Sequence, residues 1–410
     1  EDYLSDGLTQ EMIAQLGQAQ PASLGVIAGT STIRYKKTSE PAAQIGRELG
    51  AGYLLEGSVL RSGGRVRVTA TLVQADQQTH LWAESYERPL TDVLTIQREI
   101  SEKIAHSLFI RLLPVYKTSA ANAHLDPESY DKYLLGLHEQ GQGTRESLYK
   151  AIQYFQDGIA RDPGSSRLYA AMAETYVSLP PYYSSPDDAM PKAKQAALKA
   201  VELDPKYADP HVVLGQVHLY YELDWPAAEA EFRRALEINP SLPDAQLGYA
   251  DYLATLGRFD EAIARIQQAY RVDPLAVGSR SEALWAYYFS GRAEETAEQA
   301  RKIIEIAPQS GLAYAMLALA EAQMGKNEEA QQAAENAVRM SESLSVRATA
   351  ISAMARAGQQ KRARQVLHDV IEAAKSRYVC HVLLAGALAD LGEPDKALDS
   401  LETAYRERST

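Results

Sequence analysis

The sequence contains one cysteine, Cys380, and no apolar run that approaches the ~20 residues of a membrane-spanning helix. A lone cysteine cannot form an internal disulfide, and its apolar neighbours Val379 and Leu383 indicate a buried, unreactive thiol. No secretory signal peptide is visible. Because the chain begins at Glu1 rather than at an initiator methionine, we expect it to be part of a longer protein.

Basic residues are in the minority. The chain has 42 lysines and arginines against 54 aspartates and glutamates, which gives a net charge of −12. The first 116 residues carry −2 of this charge and the remainder carries −10. An acidic surface repels the phosphates of nucleic acid, so the composition argues against direct nucleic-acid binding. Basic or neutral polypeptides are the partners that it favours.

The residue patterns of catalysis and metal binding are also missing. No glycine loop of the Walker kind occurs, and the adjacent Cys380 and His381 would point in different directions from a helix. The eight histidines are scattered, and only His211 and His218 share a helical face, at a seven-residue spacing that is too wide for a metal site. We therefore predict no catalytic residue, no metal and no cofactor, and a protein that is not an enzyme.

What the sequence does contain is a repeat. Five glycines, which we call the glycine ladder, recur at intervals of 34, 34, 33 and 34 residues: Gly257, Gly291, Gly325, Gly358 and Gly392. The turns between units carry a helix stop followed by proline, as at Asn239-Pro240 and Asp273-Pro274. Small and large apolar residues fall at helical spacing between these marks. The pattern resembles tetratricopeptide repeats, whose helical hairpins bury their apolar faces only by stacking.

This resemblance implies that residues 117–410 form an all-α array of about eight helical hairpins. Such an array stacks into a right-handed superhelix, and the first helices of its hairpins line a concave groove. Repeat arrays of this kind bind other molecules and seldom catalyse reactions. Two early units carry longer turns, at residues 141–144 and 179–186, and prolines make the second one a loop. Its Tyr182 and Tyr183 either fold over the groove or pack on the outside.

Residues 1–116 follow a different pattern, in which β-branched and aromatic runs alternate with shorter helical ones. We predict helices at residues 6–16 and 41–49, and a further helix from 93 to about 113. Ser62-Gly63-Gly64 predicts a tight hairpin turn between two of the strands. The predicted strands are at 24–28, 53–60, 66–73 and 80–86. The fold class is therefore α+β, with a small α/β domain at 1–116 followed by the helical superhelix at 117–410.

Several short blocks of this α/β domain resemble the amino-terminal domain of TolB. The blocks are LSDGLT at 4–9, VIA at 26–28, IGRELG at 45–50, YLLEGSV at 53–59, RVRV at 65–68, LWAESY at 81–86, DVL at 92–94 and IQREI at 96–100. In bacteria that domain commonly precedes tetratricopeptide repeats and follows an output domain. The resemblance implies no catalytic residue. The chain departs from the family by lacking the apolar strand that usually comes first and by having Gly29 where an arginine is usual.

Candidate binding residues follow from counting back from each turn to the inner face of the first helices. Tryptophan and tyrosine offer a large contact area with a polar group, which is why they dominate binding hot spots. The alternative is that Trp285, Tyr287, Tyr288 and Phe289 bury against neighbouring helices. The candidates are Gln216, Tyr220, Asp251, Thr255, Glu282, Trp285 and Tyr288.

The resemblance implies the sensory and protein-interaction region of a bacterial signalling regulator. The first expectation is a transcriptional regulator whose DNA-binding domain lies upstream, with a protein or peptide partner in the concave groove. The alternatives are the regulatory region of an adenylate or guanylate cyclase or of a protein kinase, and a stand-alone scaffold. The resemblance also allows an oligomer and a membrane tether upstream of residue 1. With such a tether the region would be periplasmic, and otherwise cytoplasmic.

Overall fold

The computed structural model describes residues 2–19, 25–62, 64–89, 92, 95–96, 99–100, 103–104, 126–180, 182–275 and 277–408. Its amino-terminal part is a small mixed domain, which we call the α/β module. Its elements in chain order are helix α1 (Asp2–Ala19), helix α2 (Gly29–Thr32), a 3₁₀ turn (Ile33–Tyr35), helix α3 (Ala42–Leu49) and strands β1 (Tyr53–Ser62), β2 (Arg65–Gln74) and β3 (Thr79–Pro89).

The three strands form one antiparallel sheet in the order β1, β2, β3. Ser62 pairs with Arg65, so β1 and β2 form the predicted antiparallel hairpin. Alternate residues of β2 such as Val66 and Val68 are buried, because α1 belongs to the same apolar cluster and covers that face of the sheet. Among the described residues, this apolar face of the sheet shares one buried cluster with α1 and with the first helices of the array.

The predicted helices at 6–16 and 41–49 and three of the four predicted strands are confirmed, with small differences at their ends. The predicted strand at 24–28 is wrong, because residues 25–28 are not part of the sheet. The apolar residues of this segment indicated an extended backbone, but they could not show which part of the chain it bonds to. Its hydrogen-bond partner lies in the helical array and not in the sheet. The predicted helix at 93–113 and the domain boundary after residue 116 fall mostly outside the described residues, so they stay predictions.

From residue 126 onward, the described chain forms eight helical hairpins. The third hairpin is interrupted by a turn of π-helix at Val217–Glu222. The hairpins are α4 (Pro127–Gln140) with α5 (Arg145–Arg161), α6 (Ser166–Val177) with α7 (Pro186–Leu203), α8 (Asp209–Gln216) with α9 (Trp225–Ile238), α10 (Pro243–Thr255) with α11 (Phe259–Val272), α12 (Val277–Phe289) with α13 (Ala293–Ile306), α14 (Gly311–Gln323) with α15 (Asn327–Met340), α16 (Leu344–Arg356) with α17 (Gln360–Ala374), and α18 (His381–Asp390) with α19 (Pro394–Glu407).

The glycine ladder marks the turn inside each of the last five hairpins. Every ladder glycine has a positive φ, between 72° and 81°, which a residue with a side chain rarely adopts. Leu223 stands 34 residues before Gly257 and takes the same left-handed conformation, with φ of 57°. Leu223 therefore occupies the ladder position of the third hairpin, directly after the π-helical turn. Because Leu223 has a side chain, its left-handed backbone conformation is strained, whereas glycine adopts it freely in the other turns.

The α/β module contacts the array in two places. Helix α1 packs on α4, and Arg61 of β1 forms an ion pair with Asp131 of α4. The second contact joins the segment before α2 to the loop after α11, more than 240 residues away. There the N–H of Ala28 donates to the carbonyl of Val272 at 2.8 Å, and the buried hydroxyl of Ser31 donates to Asp273 at 2.6 Å. The module is thus fixed to the first hairpin and also to the edge of the fourth.

Among the residues that the structure describes, no helix combines the length and the apolar character that crossing a membrane requires.

Candidate binding groove

A concave groove runs along the first helices of the second to fifth hairpins. It contains an open cavity of about 270 Å³, whose walls come from α6, α8 and α10 and from one residue of α12. None of the described residues that line this cavity is basic. Its polar lining consists of Glu174, Ser178, Asp209, Gln216, Asp244 and Asp251, and its apolar lining of Val177, Val212, Val213, Leu242, Leu247, Gly248 and Ala283.

The acidic side chains reach the cavity because of where they lie on the first helices. Asp209 begins α8, and Asp244 lies in the first turn of α10, where a carboxylate is stabilised by the helix dipole. Asp251 lies two turns further along α10, and Glu174 lies near the end of α6. Four carboxyl groups from three consecutive hairpins therefore face one cavity, which we call the acidic cavity.

This arrangement makes it harder to ionise the carboxyl groups. Enclosure by the groove walls raises the pKa of Asp251 to about 6, against the effect of Tyr220, whose hydroxyl donates to its carboxylate at 2.7 Å. Enclosure also raises the pKa of Glu174, and the charges of Asp244 and Asp209 raise it further, although its side chain is open to the solvent in the groove. A cation in the cavity would relieve this mutual repulsion.

The structure brings three of the predicted residues together at this cavity. Gln216 and Asp251 line it, and Tyr220 lies in the π-helical turn and holds the carboxylate of Asp251. Thr255 is exposed at the end of α10, where its hydroxyl donates to the carbonyl of Asp251 at 2.9 Å. Glu282 belongs to α12, but its side chain lies outside the described part of the chain.

The two predicted aromatic residues form a separate cluster with Phe289 on α12. The ring of Trp285 lies 6.2 Å from that of Tyr288 and 5.6 Å from that of Phe289, measured between centroids. Trp285 and Tyr288 are half-buried against the core, and Arg356 of α16 donates to the hydroxyl of Tyr288. Phe289 is 65% exposed, whereas Tyr287 is buried. The alternative of burial therefore holds for Tyr287, and Phe289 is the open ring of this cluster.

The groove is open only along part of the array. Leu319 on α14 and Ser352 on α16 stand six residues before their ladder glycines, as Asp251 and Trp285 do, yet both are buried. Tyr182, from the loop after α6, packs against the apolar cluster that contains α14 and α16. Tyr183 instead contacts the neighbouring first hairpin, where its hydroxyl donates to the carbonyl of Gly143 at 3.1 Å. One tyrosine of the loop therefore reaches across the array and the other does not.

Sequence reasoning missed four residues of this surface: Glu174, Asp209, Asp244 and Phe289. The repeat contained a signal for three of them. Asp209 and Asp244 both lie at the start of a first helix, 14 and 13 residues before Leu223 and Gly257. Phe289 lies two residues before its ladder glycine, as the predicted Thr255 does. Glu174 had no such signal, because the long loop after it shifts its register.

The two histidines on one helical face have separate partners. Nδ1 of His211 lies 2.6 Å from a carboxylate oxygen of Glu231, and Nδ1 of His218 lies 2.8 Å from one of Glu222. Within the described ranges there is no group of three or more histidine, cysteine, aspartate or glutamate side chains that could hold a metal ion.

Comparison with known proteins identifies the repeat. Three family models of the tetratricopeptide repeat match the chain, at residues 219–276, 250–311 and 312–344. These residues are tetratricopeptide repeats. A solved structure of a monomeric IFIT1 mutant with Gppp-AAAA has the same fold, with a TM-score of 0.54 and 14% identity over 77% of this chain and 80% of that one. At that identity the likeness concerns the fold alone.

Two bacterial relatives share sequence with the chain. A Rhizobium meliloti protein named adenylate cyclase 3 is 30% identical over 174 residues, which are 42% of this chain and 29% of that protein. The transcriptional regulator HilA of Salmonella typhimurium is 25% identical over 291 residues, which are 70% of this chain and 52% of that protein. The chain thus spans about half of HilA and less than a third of the cyclase relative.

Proposed function

We propose that the groove binds a polypeptide segment rich in basic residues. The observation that carries this proposal is the acidic cavity, in which four carboxyl groups face one another and no described lining residue is basic. A lysine or arginine side chain would gain charge-assisted hydrogen bonds there. The exposed ring of Phe289 and the half-buried ring of Trp285 belong to the next hairpin along, where they offer apolar contact to a neighbouring residue of the same peptide.

We further propose that this region is the sensory part of a bacterial signalling regulator, with residues 1–116 as a TolB-like module and 117–410 as the binding array. Ser31 and Asp273 supply the physical link, because they join the module to the array beside the groove. A ligand that binds the docked and undocked forms with different affinity would shift the equilibrium between them. The similarity to HilA supports a DNA-binding output domain upstream.

The cellular compartment of this region depends on whether a membrane tether precedes it. A membrane tether upstream of residue 1 would place the region in the periplasm, and without one it would act in the cytoplasm.

Fluorescence anisotropy with short labelled peptides tests the groove. Three peptides of equal length, one lysine-rich, one uncharged and one glutamate-rich, each carry one aromatic residue. We expect the lysine-rich peptide to bind best and to lose affinity as salt is added. Asp251→Asn should weaken it about fivefold, which corresponds to the ~1 kcal/mol of two unit charges 4 Å apart in water.

Two variants make this test specific. Glu294→Gln removes a carboxylate from the start of α13, on the second helix of its hairpin, and should leave binding unchanged. The double variant Trp285→Ala, Tyr288→Ala should weaken binding if the aromatic cluster takes part. Circular dichroism checks that each variant folds. Undiminished binding by both Asp251→Asn and the double variant would reject the groove.

The relative named adenylate cyclase 3 supports a second candidate, in which the output domain is a nucleotide cyclase. Under either candidate the 410-residue chain itself should show no cyclase, kinase or hydrolase turnover. An activity of the purified chain that one point substitution abolishes would overturn both candidates.

A further inference from the structure

A second cavity lies on the opposite side of α6 from the acidic cavity. It is an open groove of about 600 Å³, whose walls come from α5, α6 and α7. That volume is within the roughly 300–1,000 Å³ that is usual for ligand sites. Tyr169 and Tyr176 of α6 face this groove, whereas Glu174 of the same helix faces the acidic cavity, because α6 has about 3.6 residues per turn. We call the second cavity the lysine groove, after Lys192 and Lys199 of α7, which also line it.

One of the two lysines in this groove has no carboxylate partner. Lys199 forms an ion pair with Glu202 of the same helix at 2.9 Å. Lys192 is exposed, and its Nζ lies 5.9 Å from the centroid of the Tyr176 ring. Within the described ranges, no carboxylate comes within ion-pair distance of Lys192. Its ammonium group is therefore uncompensated at the groove, although the chain as a whole is acidic.

The repeat itself shows which group is missing. Lys192 of α7 and Arg362 of α17 hold the same position in their helices, since each is followed by buried residues one, four, five and eight positions on. Gln156 of α5 and Glu335 of α15 also correspond, because each stands six residues before the C-cap of its helix. Arg362 reaches across to Glu335, with two nitrogens 2.6 and 2.9 Å from its carboxylate oxygens. At the lysine groove the carboxylate is replaced by the amide of Gln156, which donates to the hydroxyl of Tyr176 at 3.5 Å.

We propose that the lysine groove binds an acidic peptide segment of a partner protein. A glutamate or aspartate of the segment pairs with Lys192, as Glu335 pairs with Arg362 between α15 and α17. Leu198 stands six residues further along α7, which is about 9 Å, and it is 50% exposed at the same groove. Met172 of α6 is half-buried there. These two side chains offer apolar contact to a neighbouring residue of the segment.

The charges of the groove favour a peptide over a nucleic acid. A nucleic-acid strand carries a charge on every nucleotide and needs several cations along its path. The lining lysines are Lys192 and Lys199, and the second is already paired with Glu202. One uncompensated lysine beside apolar side chains instead suits a segment that combines a carboxylate with an apolar residue. We expect this binding to be weaker than that of a lysine-rich peptide in the acidic cavity, because the net charge of −12 repels an acidic segment at long range.

Fluorescence anisotropy of the 410-residue chain with a labelled peptide tests the proposal. The peptide carries a pair of glutamates and one leucine, and a reference peptide has glutamine in place of both glutamates. We expect the glutamate peptide to bind and the reference to bind more weakly. Lys192→Gln should weaken the glutamate peptide about fivefold, since one unit charge near the peptide is lost. Lys302→Gln is the matched control: Lys302 is an exposed lysine of α13 that pairs with Glu298, and its replacement should leave binding unchanged.

A variant that supplies the missing carboxylate makes the test specific. Gln156→Glu places an acid where α15 has Glu335, so it should pair with Lys192 and weaken the glutamate peptide at least fivefold while the lysine is kept. Circular dichroism checks that each variant folds. An unlabelled lysine-rich peptide should not displace the glutamate peptide, because the two cavities lie on opposite sides of α6. Displacement by it, unchanged affinity in Lys192→Gln, equal loss in Lys302→Gln, or preference for a single-stranded oligonucleotide over the peptide would each overturn the proposal.

Discussion

Removing the hydroxyl of Ser31 should release the α/β module from the middle of the array. Ser31 is fully buried, and its Oγ both donates to a carboxylate oxygen of Asp273 at 2.6 Å and accepts from the N–H of Leu275 at 2.7 Å. In a Ser31→Ala variant both groups lose this partner. Asp273 is only 6% exposed, so solvent reaches it poorly while the module stays docked.

The size of the effect follows from these two bonds. A hydrogen bond to a charged group contributes about 1.5–3 kcal/mol and a neutral one about 1 kcal/mol, and undocking lets water replace part of both. We take about 2 kcal/mol, which is roughly a 30-fold shift toward the undocked form. The contacts of α1 with α4 are untouched, so the array itself should unfold at an unchanged denaturant concentration.

Hydrogen exchange followed by mass spectrometry measures this shift. The amides of Ala28 and Leu275, which are protected by the contact, should exchange roughly 30-fold faster in Ser31→Ala than in the native chain. Thr32→Val is the matched control, because the hydroxyl of Thr32 bonds within α2 to the carbonyl of Gly29 at 3.2 Å. Unchanged exchange in Ser31→Ala, or equal acceleration by Thr32→Val, would refute the reasoning.

Three further outcomes are expected from urea unfolding. Leu223→Gly should stabilise the array by about 1 kcal/mol, because glycine adopts the left-handed turn without strain and Leu223 is 53% exposed; a lower midpoint would contradict this. Gly248→Ala should destabilise it by about 1–3 kcal/mol, since the new Cβ would lie 2.4 Å from the ring of Phe232; an unchanged midpoint would contradict this. The pKa of Asp251 is raised from 3.8 to about 6 in the fold, so this carboxyl group stabilises the fold at low pH and the stabilisation is lost as the pH rises through 6. Asp251→Asn should therefore flatten the pH dependence of the free energy of unfolding between these two values. The same pH dependence in the variant and the native chain would contradict the raised pKa.

The array was predictable because its signals are local. Each of the last five hairpins needs a residue with a positive φ at its turn, and glycine is the residue found there. This local requirement produces the period of about 34 residues that is visible in the sequence. The same turn in the third hairpin could not be recognised from the sequence, because Leu223 and not a glycine adopts the left-handed conformation there. Counting from glycines therefore found the fourth and fifth hairpins more directly than the third.

The site was only partly predictable because it combines positions with different registers. Gln216 and Asp251 were found by counting along first helices, and both line the acidic cavity. Glu174 lies in a hairpin whose inner turn is lengthened by the loop at 179–186, so the same count does not reach it. The extent of the open groove was not predictable either, since the burial of Leu319 and Ser352 depends on how the later hairpins pack.

The contact between the module and the array could not be predicted from local sequence patterns. The segment at 24–28 was predicted as a strand because its residues are apolar and β-branched, and its described part is instead held by Val272 of the array. A hydrogen bond between residues more than 240 positions apart leaves no periodic trace in one sequence. It was therefore beyond any argument from spacing.

Binding in the acidic cavity and docking of the module share one charge network. The groove walls raise the pKa of Asp244 and the charge of Asp273 raises it further, although the side chain of Asp244 is exposed to the solvent. Asp273 is also the acceptor of the hydrogen bond from Ser31. A cation beside Asp244 would therefore also offset its repulsion with the charge of Asp273, which is buried while the module is docked. We expect a lysine-rich peptide to slow the exchange of the Leu275 amide in the native chain and to have no such effect in Ser31→Ala. Equal slowing in both would mean that the groove and the module are not coupled through Asp273.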